Sequence, residues 1–116
     1  MLEALWSVDF RSNVSSQTNA GTGIAVLETN RVLGGDGMYT YVGAYHAPGG
    51  NRLEAEIEVR KYLNVPQPQS IFGPADQFHL KLAGVPAQSA FKMTGYVVER
   101  PELTIDINFV RRAELP

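Results

Sequence analysis

Apolar and polar residues alternate with a period of two along most of the chain. Residues 53–60 show this most clearly, because every odd position there is apolar and every even position is charged. Successive side chains of a β-strand point to opposite faces, so the pattern predicts a strand with one buried and one solvated face. A helix would instead scatter the same charges around its whole surface.

Seven further segments show the same alternation or are rich in Val, Ile, Tyr and Phe. Both features are typical of strands. No segment carries a sustained apolar period of about 3.6 residues, which an amphipathic helix would need. We therefore predict strands at residues 6–11, 23–28, 31–33, 38–46, 53–60, 78–82, 89–98 and 103–109.

The connections between these segments are mostly short and rich in turn residues. Thr29-Asn30 separates two apolar runs, and Gly34-Gly35-Asp36-Gly37 can supply the positive φ angles that tight hairpins require. Only residues 64–76 form a long connection, and its three prolines favour a crossing loop there.

Eight strands joined mainly by short turns predict an all-β domain with antiparallel, up-and-down topology, covering residues 1–116. An open sheet of this kind would expose two edge strands, and closing it into a barrel removes both edges. We therefore predict an eight-stranded antiparallel barrel. A β-sandwich is the alternative, but it uses longer crossovers, and only residues 64–76 are long enough for one.

The apolar side of each strand is predicted to face the barrel interior. The predicted core consists of Trp6, Phe10, Ile57, Val59, Leu80, Ile105 and Ile107. An eight-stranded barrel is either filled by its own side chains or just wide enough for one small ligand. The residues predicted to line such a lumen are Val8, Ile57 and Phe78.

Two predicted strands, residues 38–46 and 89–98, are apolar on both faces. A sheet with one face in water should be apolar only on its buried face. The extra apolar surface predicts a homodimer in which a second subunit covers part of the outer wall, with Tyr39, Tyr41 and Tyr45 at the interface. Alternatively, these are ordinary exposed tyrosines and small residues on a strand surface.

Composition and charge narrow the function classes. The net charge of −2 lacks the excess of Lys and Arg with which nucleic-acid binders neutralise phosphates. The chain contains no cysteine, and its first residues form neither a signal peptide nor a membrane span, so we expect a cytoplasmic protein without membrane contact.

No recognisable catalytic or metal-binding motif is present. A cysteine nucleophile is excluded by composition, and no Gly-x-Ser-x-Gly elbow occurs. His46 and His79 both fall in predicted strands, where solvated surface positions explain them, and they form no close pair for a metal. The glycines of residues 34–37 precede a strand rather than a helix, unlike a phosphate-binding loop. We expect no enzyme activity, cofactor or metal.

The charged side of residues 53–60 presents three glutamates in a row. Such a row is most often a solvated strand face, but it is also the best candidate in the sequence for steering a protein partner. The predicted partner-binding residues are Glu54, Glu56 and Glu58.

Five stretches within the first 62 residues resemble, in order and spacing, the GrlR family of negative regulators of type III secretion. Each stretch alone consists mainly of turn glycines and strand aromatics, so the resemblance depends on their joint order. They are residues 6–13 (WSVDFRSN), 21–26 (GTGIAV), 31–36 (RVLGGD), 39–43 (YTYVG) and 59–62 (VRKY).

The resemblance implies an eight-stranded, lipocalin-like barrel that dimerises. It also implies a protein that represses type III secretion genes by binding and sequestering a transcription activator, such as a helix-turn-helix protein, without binding DNA itself. The family's activator contact is associated with an acidic loop, whereas residues 47–52 here contain no acid, so no partner-binding residue carries over. The alternative function is a carrier that binds a small apolar ligand in the barrel.

Overall fold

The computed structural model describes residues 2–14, 20–64, 71–72 and 75–116. These residues form eight strands and one turn of 3-10 helix at Pro48–Gly50. The strands are β1 (Ala4–Ser12), β2 (Ala20–Glu28), β3 (Arg31–Gly35), β4 (Tyr39–His46), β5 (Leu53–Lys61), β6 (Gln77–Gly84), β7 (Ala90–Val97) and β8 (Arg100–Ala113).

The strands close into a single antiparallel barrel. Each strand pairs with the next one in sequence, and β8 returns to pair with β1, with Phe109 opposite Val8. The predicted all-β, up-and-down, eight-stranded barrel is therefore confirmed, and the sandwich alternative is excluded. The crossing loop predicted between β5 and β6 lies partly outside the described residues, including Pro66, Pro68 and Pro74.

Alternate residues of every strand point into the barrel, as the period of two predicts. The predicted core residues that are buried are Trp6, Ile57, Val59, Leu80, Ile105 and Ile107. Phe10 is only half-buried and packs against this core, because it lies towards the end of β1 at one end of the barrel.

The three tyrosines predicted to lie at a dimer interface, Tyr39, Tyr41 and Tyr45, face the barrel interior instead. Tyr39 and Tyr45 are buried in the interior, and Tyr41 packs against the core from the same face of β4. The register of β4 with β5 requires this, because Tyr41 lies opposite the buried Val59. β4 is apolar on both faces, so alternation alone could not show which face points inward.

Glycines on β2 make room for aromatic side chains inside the barrel. A Cβ at Gly21 would lie 2.5 Å from the ring of Phe10, and a Cβ at Gly23 would lie 2.7 Å from the Tyr41 hydroxyl. The rings of Phe10 and Tyr41 meet edge to face with their centroids 6.4 Å apart. Glycine at these positions therefore allows two aromatic residues near one end of the barrel.

Positive φ angles occur at Gly49 and Gly50 in the connection between β4 and β5, but not at the glycines of residues 34–37. Thr29 and Asn30, between β2 and β3, have φ of 50° and 64°, whereas none of the glycines at 34–37 has a positive φ. A two-residue hairpin with positive φ at both central residues is a type I′ turn, which favours Asn-Gly. The turn between β3 and β4 is held instead by the side chain of Asp36.

Replacing Thr29 by Asn and Asn30 by Gly should stabilise the barrel. A β-branched residue at positive φ is strained, and relieving that strain should raise the free energy of unfolding by about 1 kcal/mol. We expect urea denaturation to give a higher midpoint at an unchanged slope. The control is Asn51→Gly, because Asn51 has φ −116° and glycine should not stabilise that position. A lower midpoint for the turn variant would contradict the type I′ assignment.

Candidate functional site

The barrel encloses a cavity of about 500 Å³, here called the lumen cavity. All eight strands contribute inward-facing side chains to it, and nearly all of these are apolar. Val8, Ile57 and Phe78, which the sequence predicts to face a lumen, all line it. Small-molecule sites in proteins have about 300–1,000 Å³ and predominantly apolar walls, so both the volume and the lining suit one small ligand.

Aromatic packing closes one end of the lumen cavity. Trp6 is completely buried, and its indole Nε1 donates a hydrogen bond to the Leu2 carbonyl at 2.9 Å. Its ring meets Phe91 edge to face at 4.8 Å, and Phe91 stacks on Phe109 at 4.7 Å. These three rings form the wall behind the cavity near the start of β1.

The opposite end is formed by the turn between β3 and β4 and by residues 71–72. Ile71 is buried and lines the cavity, and its carbonyl accepts a hydrogen bond from the Ser12 hydroxyl at 2.7 Å. Phe72 packs edge to face on Phe78, 5.4 Å away. The lining residue Met38 is half-buried, so this end of the cavity lies closest to solvent among the described residues.

Asp36 is the one charged residue among the described residues that line the cavity. Its Oδ1 accepts hydrogen bonds from the backbone N–H groups of Met38 and Tyr39, both at 2.8 Å. Its Oδ2 accepts a third from the Tyr41 hydroxyl at 2.5 Å. Burial, followed by this hydrogen bond, raises the pKa of Tyr41 far above its usual range, so Tyr41 stays protonated and remains the donor.

Sequence reasoning missed the Asp36 site. The signal that could have revealed it is an Asp two residues before Met38 in a short connection, because Asp side chains in turns accept hydrogen bonds from nearby backbone amides. The sequence alone did not reveal the contribution of Tyr41, because that contribution depends on which face of β4 points into the barrel.

The predicted partner-binding residues lie on the outer face of β5, where basic side chains accompany them. Arg52 and His46 lie 2.9 Å and 3.0 Å from the carboxylate of Glu54. Lys81, on β6, lies 3.9 Å from Glu56. The hydrogen bond from Arg52 is the main cause that lowers the pKa of Glu54. The row is therefore interleaved with bases and presents a weaker negative field than the sequence predicts.

The third glutamate of the row belongs to a cluster around His79. Glu58 contacts Arg60 at 3.2 Å and the His79 Nε2 at 3.6 Å. The His79 Nδ1 hydrogen-bonds Glu99, whose carboxylate also accepts the His79 backbone N–H at 2.9 Å. The hydrogen bond to Glu99 raises the pKa of His79, which favours the imidazolium form. His79 is thus a surface histidine that balances nearby carboxylates.

The outer wall of β2, β3 and β4 carries exposed apolar side chains, here called the apolar wall. Ile24, Leu33 and Val42 are 45%, 42% and 50% exposed. The register aligns Val26, Leu33 and Val42 in one row across the three strands. This surface, rather than the inward-facing tyrosines, is the apolar outer face of this part of the barrel.

The comparisons with known proteins assign no family. No protein-family model matches the chain, and no curated protein matches it in sequence. Within the described ranges, no group of three or more His, Cys, Asp or Glu side chains is placed to hold a metal ion. No helix in the described part of the chain has the length and apolarity needed to cross a membrane.

Proposed function

We propose that this protein binds a small apolar molecule inside its barrel. The observation that carries the proposal is the lumen cavity, with its volume of about 500 Å³ and its predominantly apolar lining. Binding there would bury most of a small ligand's surface, and apolar burial contributes about 25 cal/mol per Å². Polar groups at the Asp36 end would orient the ligand.

The lining of the cavity supports an apolar occupant. An apolar ligand would displace water that finds few polar partners on these walls, because nearly all of the lining side chains are apolar.

A second candidate function is the regulatory one that the family resemblance implies. In this reading the protein represses type III secretion genes in the cytoplasm by binding a transcription activator, without binding DNA. The apolar wall favours it, because the resemblance implies a homodimer and exposed contiguous apolar surface is typical of contacts between subunits. Glu54, Glu56 and Glu58 stay the predicted activator contact, although their basic neighbours weaken the argument from charge.

A second copy of the chain is the proposed occupant of the apolar wall. Leu33 and Val42 lie side by side near its centre, and at one margin Arg31 pairs with Glu28 at 3.4 Å. This pair is internally neutral, so an identical copy would meet little like-charge repulsion there. Homodimer interfaces are more apolar than the average protein surface, which also suits this wall.

Filling part of the lumen cavity should weaken ligand binding. Ala55 is buried on the inner face of β5 and lines the cavity, so Ala55→Phe would occupy part of the space. We expect the variant to bind the neutral fluorescent probe N-phenyl-1-naphthylamine at least ~10-fold more weakly than the wild type does, which corresponds to about 1.4 kcal/mol.

The matched control for this variant is Ala90→Phe, which adds the same ring at an exposed position of β7. It should leave the probe affinity unchanged, and far-UV circular dichroism should confirm that both variants fold. Equal probe affinity in the wild type and in a folded Ala55→Phe protein would show that the probe binds elsewhere. If the wild type does not bind the probe, the carrier proposal is wrong.

Charge on the apolar wall should separate the subunits. Sedimentation equilibrium should give twice the 12.7 kDa chain mass for the wild type at micromolar concentration. Leu33→Glu combined with Val42→Glu should give a folded monomer, because two carboxylates would be buried without partners. Thr94→Glu, at an exposed position of β7, is the control and should remain dimeric. A monomeric wild type would rule out this use of the wall.

A further inference from the structure

Asp36 is the one acidic residue among the described residues that line the lumen cavity. We infer that the cavity selects an apolar molecule whose polar end is a hydrogen-bond donor, an alcohol or a protonated amine, and discriminates against carboxylates. Asp36 would set this selectivity. The inference rests on the proposed binding function and adds the chemical class of the ligand.

The carboxylate of Asp36 retains acceptor capacity beside the cavity. A carboxylate offers about four acceptor sites on its two oxygens. Oδ1 uses two of them on the backbone N–H groups of Met38 and Tyr39, and Oδ2 uses one on the Tyr41 hydroxyl. One acceptor site on Oδ2 therefore remains for a donor on the ligand.

The described residues provide no basic partner for Asp36. No Lys, Arg or His among them forms an ion pair with it, and none lines the cavity. A ligand carboxylate at this end would face a like charge without a cation between them. A neutral hydroxyl avoids this repulsion, and an ammonium group gains attraction.

The position of Asp36 is fixed before any ligand arrives. Its three hydrogen bonds hold the side chain in one orientation, and the Tyr62 hydroxyl donates to its backbone carbonyl at 2.8 Å. A ligand donor would therefore meet an oriented acceptor, and less entropy would be lost on binding. This orientation makes Asp36 a specificity determinant in addition to a turn residue.

The test uses three ligands that share one alkyl chain: 1-decanol, decylamine and decanoic acid. The affinity of each ligand is measured by its displacement of N-phenyl-1-naphthylamine from the wild-type protein. The measurement is made at about pH 7, where the amine is protonated and the acid is ionised. We expect decanol and decylamine to bind at least ~10-fold more tightly than decanoate, a difference of about 1.4 kcal/mol.

The Asp36→Asn variant identifies the residue responsible. Its amide oxygen can keep the backbone hydrogen bonds while the charge is removed, so decanoate affinity should rise about 10-fold and the preference for decylamine should fall. Asp9→Asn is the matched control, because it removes the same charge from an exposed position on β1 and should leave the three affinities unchanged. Tyr41→Phe keeps the carboxylate and should keep the discrimination against decanoate.

The outcomes separate this inference from the proposed function. If the probe and all three decyl compounds fail to bind, the carrier proposal itself is wrong. If they bind but the protein has the same affinity for decanoate as for decanol and decylamine, only the inferred selectivity is wrong. If the wild type discriminates and a folded Asp36→Asn protein discriminates equally, the selectivity does not come from Asp36. Should that variant fail to fold, the wild-type affinities alone decide whether the predicted ligand class is right.

Discussion

The pairing of β8 with β1 is the interaction on which the rest of the structure depends. β8 is the longest strand, and it pairs with β7 on one side and with β1 on the other. Without that second ladder the molecule would be an open sheet with two exposed edges. Closing the sheet divides the residues of every strand into an inner and an outer set, so it creates both the lumen cavity and the apolar wall.

The inner set does not fill the space that closure encloses. Small residues occupy inner positions on two strands, with Ala25 on β2 and Ala55 on β5, and both line the cavity. Large aromatic residues lie at both ends, around Trp6 and Phe91 at one and around Phe10, Tyr41 and Phe78 at the other. The hollow part of the barrel lies between these ends, and Asp36, the one charged residue among the described lining residues, lies at the end with Tyr41.

The sequence predicted the fold well because the period of two is a local property. Residues 53–60 specify a half-buried strand without reference to any neighbour, and the short turns then specify the order of pairing. The inward direction of Tyr39, Tyr41 and Tyr45 could not be predicted in this way. Both faces of β4 are apolar, and the choice between them is made by register with β5.

Properties that depend on several strands also could not be predicted from local sequence patterns. The charge balance of the row at Glu54 comes from His46 and Arg52 as well as from β5 itself. The hollow interior depends on the summed volume of side chains from all eight strands, which no single segment reveals. The positive φ of Thr29 was likewise missed, because a β-branched residue is disfavoured there and the nearby glycines gave a stronger signal.

Methyl chemical shifts recorded by NMR during titration with 1-decanol test the central claim, that the ligand binds inside the barrel, most directly. Ile57, Leu80 and Ile107 point into the lumen cavity, whereas Ile24, Leu33 and Val42 lie on the apolar wall. We expect saturable shifts of the inner methyl groups and none of the outer ones. Shifts confined to the outer methyl groups would contradict a binding site inside the barrel.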